Sequence, residues 1–420
     1  MWPPGPRLDR RGCSIPFFHE VPLHDRVLAV ALTDADRRRL FAVACLAMSV
    51  FGMVIAMLGT LFGLPEMRAR LAIDLAQQGE VFGLLFVGLL AATVLAGPML
   101  DRFGSKLVIV SAAAQVTAAL VLFALARGFG AAAFAAVLLG FGGGWLNIGG
   151  NALVSDIYPE NRGRMLNLLG IFFGVGALFV PLLVSVAFDA LTVAGSLAAC
   201  AAVAGACTLA AAPLHFPPAR EATAFSFREY LRTARYPGVL LFASLLFFQS
   251  GNEAALAGWT STYIGSVGWS PRVATVVLLG YWVMAIVGRS LSAWAQAALG
   301  KAQLVLLAGL VAATGCVVLL LAAGSLPVLA AGAWLTSIAL SAVFPTTLAM
   351  AGDRYHRYAG SVFGFLFTIA NFGGMLFPWA LGQVSQRAGV RLGMVVPLVG
   401  TLAVAAIALA IKRTEDGTSG

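Results

Sequence analysis

The chain has 420 residues, of which 60% are apolar and only 11% charged, with a net charge of +9. Soluble domains carry about 25% charge, so the composition excludes an ordinary soluble enzyme and points to many membrane spans of about 20 residues each. The positive balance does not indicate a nucleic-acid binder, because the basic residues sit in short loops between apolar runs.

Residues 1–39 lack the apolar core of a signal peptide and mix Asp with Arg up to Arg39, so a loose cytoplasmic tail is expected there. Twelve apolar runs follow, near 40–63, 79–100, 107–128, 131–154, 165–189, 191–212, 239–266, 272–296, 302–324, 327–352, 361–385 and 390–411. A backbone in lipid must satisfy its own hydrogen bonds, so each run is read as one helix. The expected fold is an all-α membrane protein with two six-helix bundles, 40–212 and 239–411. A cytoplasmic loop, 213–238, joins them, and a short tail, 412–420, closes the chain. Within the loop the stretch 225–231 is amphipathic and suits the membrane surface. With both termini inside, 21 of the 27 Lys and Arg residues fall on the inner side, which sets an N-in, C-in orientation.

The halves repeat. Asp156, Tyr158, Gly163, Gly176 and Pro181 match Asp353, Tyr355, Gly360, Gly373 and Pro378 at a constant spacing of 197. Each set runs from the end of an even-numbered span through a short inner loop into the next span. Two related halves with a site between them are a known transporter plan.

Spans 2 and 3 are joined by Gly97-Pro98-Met99-Leu100-Asp101-Arg102-Phe103-Gly104-Ser105-Lys106. This loop resembles the signature of the major facilitator superfamily, G-x-L-x-D-R-x-G-R-K, at Gly97, Asp101, Arg102, Gly104 and Lys106. Met99 and Ser105 depart from it. The resemblance implies the twelve-helix fold in two pseudo-symmetric bundles and secondary transport across the inner membrane. Asp101 among Arg102, Arg162 and Arg164 is then expected to latch the inner helix ends in the outward-open state; the plain alternative is a solvated loop. A second copy keeps Gly288, Arg289, Gly300 and Lys301 but lacks the acid. The arginine and Gly-Pro patterns of drug antiporters are absent, with Ala136 in span 4 and only Gly170, Gly174, Gly176 and Pro181 in span 5. Uptake is therefore favoured over efflux. Gly251, Glu253, Trp259 and Tyr263 of span 7 resemble the pattern of sugar-transporting facilitators of the fucose-related group. That resemblance implies a small, sugar-like solute.

Glu253 lies in an apolar run with no basic partner within its own span. A carboxylate there is costly unless it is paired, hydrated or protonated, and such residues usually carry function. It is read as the coupling-ion site, with a proton first and sodium second, since a protonated acid is neutral and cheap to bury. Gly251 and Asn252 mark a place where the helix could open toward a cation. Asn147 and Asn151 are four apart in span 4 and share a face, as do Gln249 and Glu253 in span 7. Asn147, Asn151 and Gln249, with Asn252, Trp259, Tyr281 and Asn371, form the candidate substrate site. Amides and hydroxyls both donate and accept, which suits a polyhydroxylated ligand. Trp145, Trp259 and Trp282 offer ring faces for a sugar, although packing explains each of them as well.

No cofactor is expected beyond the coupling ion. The partners expected are a small solute and the lipid bilayer, with no nucleic acid and no obligatory protein partner. The four histidines lie outside the spans and the cysteines have no metal-ligand spacing. Neither a G-x4-G-K-[ST] loop nor a G-x-S-x-G motif is present, so ATP-driven transport and serine hydrolysis are not expected. The rival readings are an uncoupled facilitator, proton-driven efflux of small molecules, and a non-transporting sensor or scaffold. The charge bias makes one prediction: a reporter fused after Gly420 reads out in the cytoplasm, and one inserted beside Trp269 reads out on the outer side. The reverse pattern would overturn the span assignment.

Overall fold

A computed structural model describes residues 32–187, 192–218, 236–322, 324–355 and 359–416. Residues 1–31, the amphipathic stretch 225–231 with most of its loop, and the last four residues lie outside the described residues.

The described chain is helical throughout. It runs α1 Asp34–Phe62, α2 Pro65–Leu71, α3 Leu75–Leu125, α4 Phe129–Ile157, α5 Arg162–Val186, α6 Val193–Ala211, α7 Pro237–Ser266, α8 Pro271–Leu299, α9 Lys301–Leu321, α10 Leu326–Arg354, α11 Ala359–Ala388, α12 Val390–Gly393 and α13 Val395–Asp416. Helix α1 starts inside the stretch expected to be a loose tail. Its start is fixed by a capping box in which Thr33 accepts from the Asp36 amide at 3.2 Å and the Asp36 carboxylate accepts from the Thr33 amide at 3.3 Å. The short helices α2 and α12 were not anticipated. Both are too short to span a bilayer.

Eleven helices among the described residues are long and apolar enough to cross a membrane. One of them, α3, has 51 residues, or about 77 Å at 1.5 Å per residue, more than twice a hydrocarbon core. It is broken at Gly104, whose φ of 70° and ψ of 171° are closed to residues with a Cβ. The segments on either side, 75–103 and 105–125, correspond to expected spans 2 and 3. The loop motif thus forms a sharp bend between two nearly abutting helices rather than an open loop.

The repeat in sequence is a repeat in packing. A Cβ added at Gly176 would lie 1.8 Å from the Ser49 carbonyl oxygen of α1, and one at Gly373 would lie 1.9 Å from that of Phe247 in α7. Tyr158 meets Phe41 edge-on at 5.8 Å, and Tyr355 meets Phe242 edge-on at 6.4 Å. In each half the same glycine lets the fifth helix lie directly on the first, and the same tyrosine closes the helix end. One apolar core is built entirely from residues 40–211 and another from residues 239–411. A third, drawn mostly from residues 255–394, takes in Ala56 and Ala177 and so bridges the halves.

Large apolar side chains are exposed on many helices, among them Leu107 and Val121 on the second segment of α3, Leu209 on α6, Leu310 and Val317 on α9, and Val399 and Leu402 on α13, as a surface against lipid requires. Cys45, Cys200, Cys207 and Cys316 are buried as free thiols, acting as small packing residues.

The glycine contacts make a stability prediction. Gly176→Val drives a branched side chain into the α1 backbone, so overpacking of at least about 1–3 kcal/mol should lower the melting temperature or abolish folding. Gly170→Ala, one turn and a half away in α5 with nothing within 4 Å, should leave the melt unchanged or raise it. Equal melts for the two variants would contradict this packing.

Candidate functional site

Glu253 lies about 24 Å along α7 from Pro237, near the middle of the helix. Its carboxylate does not stand alone. Arg289 of α8 donates from Nη2 to Oε1 at 3.1 Å, and Gln249, one turn earlier on α7, donates from Nε2 to Oε2 at 2.8 Å. The Arg289 guanidinium also lies over the Phe173 ring of α5, 5.1 Å from its centroid. That places one residue of the second half against both an acid of its own half and an aromatic ring of the first. Phe173 in turn meets Trp282 edge-on at 6.3 Å, and Trp282 meets Tyr281 at 5.8 Å.

Glu253 has no basic partner within its own span, as expected, but it has one on the neighbouring helix. Its charge is compensated from the neighbouring helix, so neutralisation does not require a proton. A paired, hydrogen-bonded acid costs far less to hold in a low-dielectric region than an isolated one. By sequence alone Arg289 belongs to the second copy of the loop motif. The signal that could have found it is an arginine several residues inside span 8, facing a lone acid in span 7. Helix α7 also runs unbroken through Gly251 and Asn252, so the expected opening is not present. Gly251 instead makes room for the Phe377 ring, which would lie 2.5 Å from a Cβ there.

The bundle has two ends. One carries Asp34, Arg162, Pro237, Lys301 and Arg354; the other carries the α1–α3 and α7–α8 turns. At this second end the halves are in close contact. A Cβ on Gly59 would lie 2.1 Å from the Ala257 carbonyl oxygen, and one on Gly79 would lie 2.7 Å from that of Pro378. Gln78 donates to Thr262 at 3.1 Å, Thr262 donates to the Phe62 carbonyl at 3.4 Å, and the Leu75 amide donates to Gln386 at 3.1 Å. Toward the first end, Asn167, Gly170 and Ile171 of α5 are exposed. The side chains of Arg289 and Glu253 keep 35% and 22% of their surface exposed, so the pair is only partly covered by protein.

The remaining candidates divide. Asn151 donates to both the carbonyl and the side-chain oxygen of Asn147, at 2.8 and 2.9 Å, so the two amides form one half-buried unit on α4. Asn371 of α11 donates to Thr93 of α3 at 3.2 Å and ties the halves together, a contact with no counterpart in the sequence reading. Tyr281 is buried in the wall beside the charge pair. Two candidates do not reach the site. Asn252 is fully buried toward α13, where Gly400 leaves space for its amide. Trp259 is fully buried against Phe82 of the other half, at 6.4 Å, and belongs to the closed end. Trp145 packs on Phe141 at 4.5 Å.

In the loop motif Arg102, Lys106, Arg162 and Arg164 are exposed, Asp101 is half-buried, and Asp101 makes no ion pair among the described residues. In the second half Lys301 pairs with Asp353. Thus the worn copy of the motif holds a charge contact that the intact copy does not. No cluster of side chains that could hold a metal ion occurs among the described residues.

A family model described as Major Facilitator Superfamily matches residues 40–324. Two solved structures share the fold. The nucleoside transporter NupG, as its D323A mutant, superposes with a TM-score of 0.76 at 14% identity, covering 90% of this chain and 99% of that one. A bacterial homologue of the human lysosomal transporter Spinster, inward-facing and unoccupied, superposes with a TM-score of 0.75 at 16% identity, covering 91% and 98%. Human synaptic vesicle glycoprotein 2B is 28% identical over 141 residues, or 33% of this chain and 20% of its own length. The chain therefore matches about a fifth of that protein.

Proposed function

We propose that this chain, which belongs to the Major Facilitator Superfamily, takes up a small polar solute by proton-coupled alternating access in a bacterial inner membrane, with both termini in the cytoplasm. That it is a membrane transporter and not an enzyme follows from the family. The observation that supports the finer reading is the Glu253–Arg289 pair. It is partly exposed, lies near the middle of α7, and is held against Phe173 of the opposite half. A proton on Glu253 removes the charge that holds Arg289. The freed guanidinium must find another partner, so proton binding and the contact between the halves become linked. The ion changes the equilibrium through its different contacts in the two states, as coupling requires.

Hydroxyl and amide groups around the site suit a sugar-like solute. The Asn147–Asn151 unit can exchange its internal hydrogen bonds for bonds to a hydroxylated ligand, and Asn371 can do so with Thr93. The nucleoside carried by the fold neighbour has the same hydroxyl chemistry and belongs in any substrate panel. With the basic end in the cytoplasm, the close contacts between the halves lie at the outer end, which supports an inward-facing reading. Asp101 would meet Arg162 and Arg164 when those ends come together, so the latch is part of the outward-open state.

Two outcomes test this reading in proteoliposomes. Glu253→Gln should abolish accumulation against a gradient and retain exchange of solute; accumulation with unchanged pH dependence would remove Glu253 from coupling and favour an uncoupled facilitator. Asp101→Asn should slow turnover at normal expression and raise cysteine labelling at the cytoplasmic end. Unchanged labelling with unchanged transport would remove the latch.

A further inference from the structure

We propose that the solute is a sugar acid, whose carboxylate takes the place of Glu253 on Arg289 while Glu253 takes up the proton. This rests on the sugar-transport reading above and narrows its substrate class. Three observations carry it. Arg289 is the charged group of the site that reaches across the interface, fixed by an acid at 3.1 Å on one side and a ring at 5.1 Å on the other. Both charged side chains remain accessible, so an incoming anion can compete for the guanidinium. Beside them are buried polar atoms with no partner among the described residues: Gln249 Oε1 and Trp282 Nε1, on side chains that are 0% and 1% exposed. An orphaned acceptor and an orphaned donor in the wall of an accessible site fit a ligand with hydroxyl groups.

Charge neutrality dictates the rest. The empty pair sums to zero. A neutral sugar leaves it intact and gains nothing from Arg289. An anion bound to Arg289 with Glu253 still ionised would leave an uncompensated negative charge in a low-dielectric region, which is costly. An anion together with one proton on Glu253 restores zero: the Arg289–Glu253 bond is exchanged for an Arg289–substrate bond, and the proton comes from water. The charged and titratable groups facing Glu253 are Arg289 and Tyr281 of α8, with Cys316 of α9 behind Tyr281. The middles of α1, α10, α11 and α13 place no other charged side chain against it among the described residues.

The test uses the full chain in proteoliposomes, with labelled D-glucuronate and D-glucose, an acid and its neutral parent. Wild type should exchange glucuronate at least about ten-fold better than glucose, and glucuronate uptake should be insensitive to an imposed membrane potential. The charge-balanced double variant Glu253→Gln with Arg289→Gln should lose about 10- to 100-fold in glucuronate exchange, the scale of a charged hydrogen bond. A monodisperse gel-filtration peak and an intact melting transition in detergent show that the variant is folded. Arg289→Lys should restore part of the glucuronate exchange. Glucose preferred over glucuronate, or glucuronate uptake driven by potential, would overturn the sugar-acid proposal and leave the sugar transporter standing. Glucuronate exchange unaffected in the double variant would remove Arg289 from recognition. Exchange of neither probe would take down the sugar reading itself and this proposal with it.

Discussion

A charge in hydrocarbon must be compensated, and in this protein that constraint is met between helices rather than within one. Glu253 on α7 and Arg289 on α8 form a pair whose parts would each be costly alone. The pair fixes the rotation of both helices, because its distance of 3.1 Å requires the two faces to meet. It also fixes which helix of the first half they face, since Arg289 lies over Phe173 of α5. The contacts around the candidate site follow from this one interaction: Gln249 orients the carboxylate, and Trp282 fills the space behind the ring.

The halves around it are held by a different force. Apolar association gives little drive between helices in lipid, so close backbone approach has to supply the packing. The glycines do this twice over, at Gly176 and Gly373 within the halves and at Gly59 and Gly79 between them. The contacts between the halves at Gly59 and Gly79 lie at one end of the bundle. Under the proposed alternating access, the intra-half glycine contacts would be the rigid parts and the inter-half ones the surfaces that part. The buried tryptophan Trp259, packed on Phe82 across the halves, belongs to that inter-half contact.

Much of the architecture was legible in the sequence. Apolar runs gave the helices, because lipid forces each run to close its own hydrogen bonds. The spacing of 197 between Tyr158 and Tyr355, and between Gly176 and Gly373, anticipated matched contacts in the folded chain. The site was only half legible. Periodicity places Gln249 and Glu253 on one face, since both belong to one helix. It says nothing of which face of α8 meets them, so Arg289 was assigned to a loop motif and Phe173 was not singled out at all. Asn252 shows the same limit in reverse. It is adjacent to Glu253 in sequence but rotated away by about 100° on the helix, and it points into the packing against α13.

On the proposed mechanism the empty site holds Glu253 as a carboxylate bound to Arg289, and protonation of Glu253 goes together with loss of that bond. Infrared difference spectra of wild type against Glu253→Gln in lipid report this directly, because ionised and protonated carboxyl groups absorb in separate regions. At neutral pH without solute, Glu253 should contribute a carboxylate band and no protonated carbonyl band, and the protonated band should appear when a transported solute is added. A protonated Glu253 band in the empty protein at neutral pH would contradict the account.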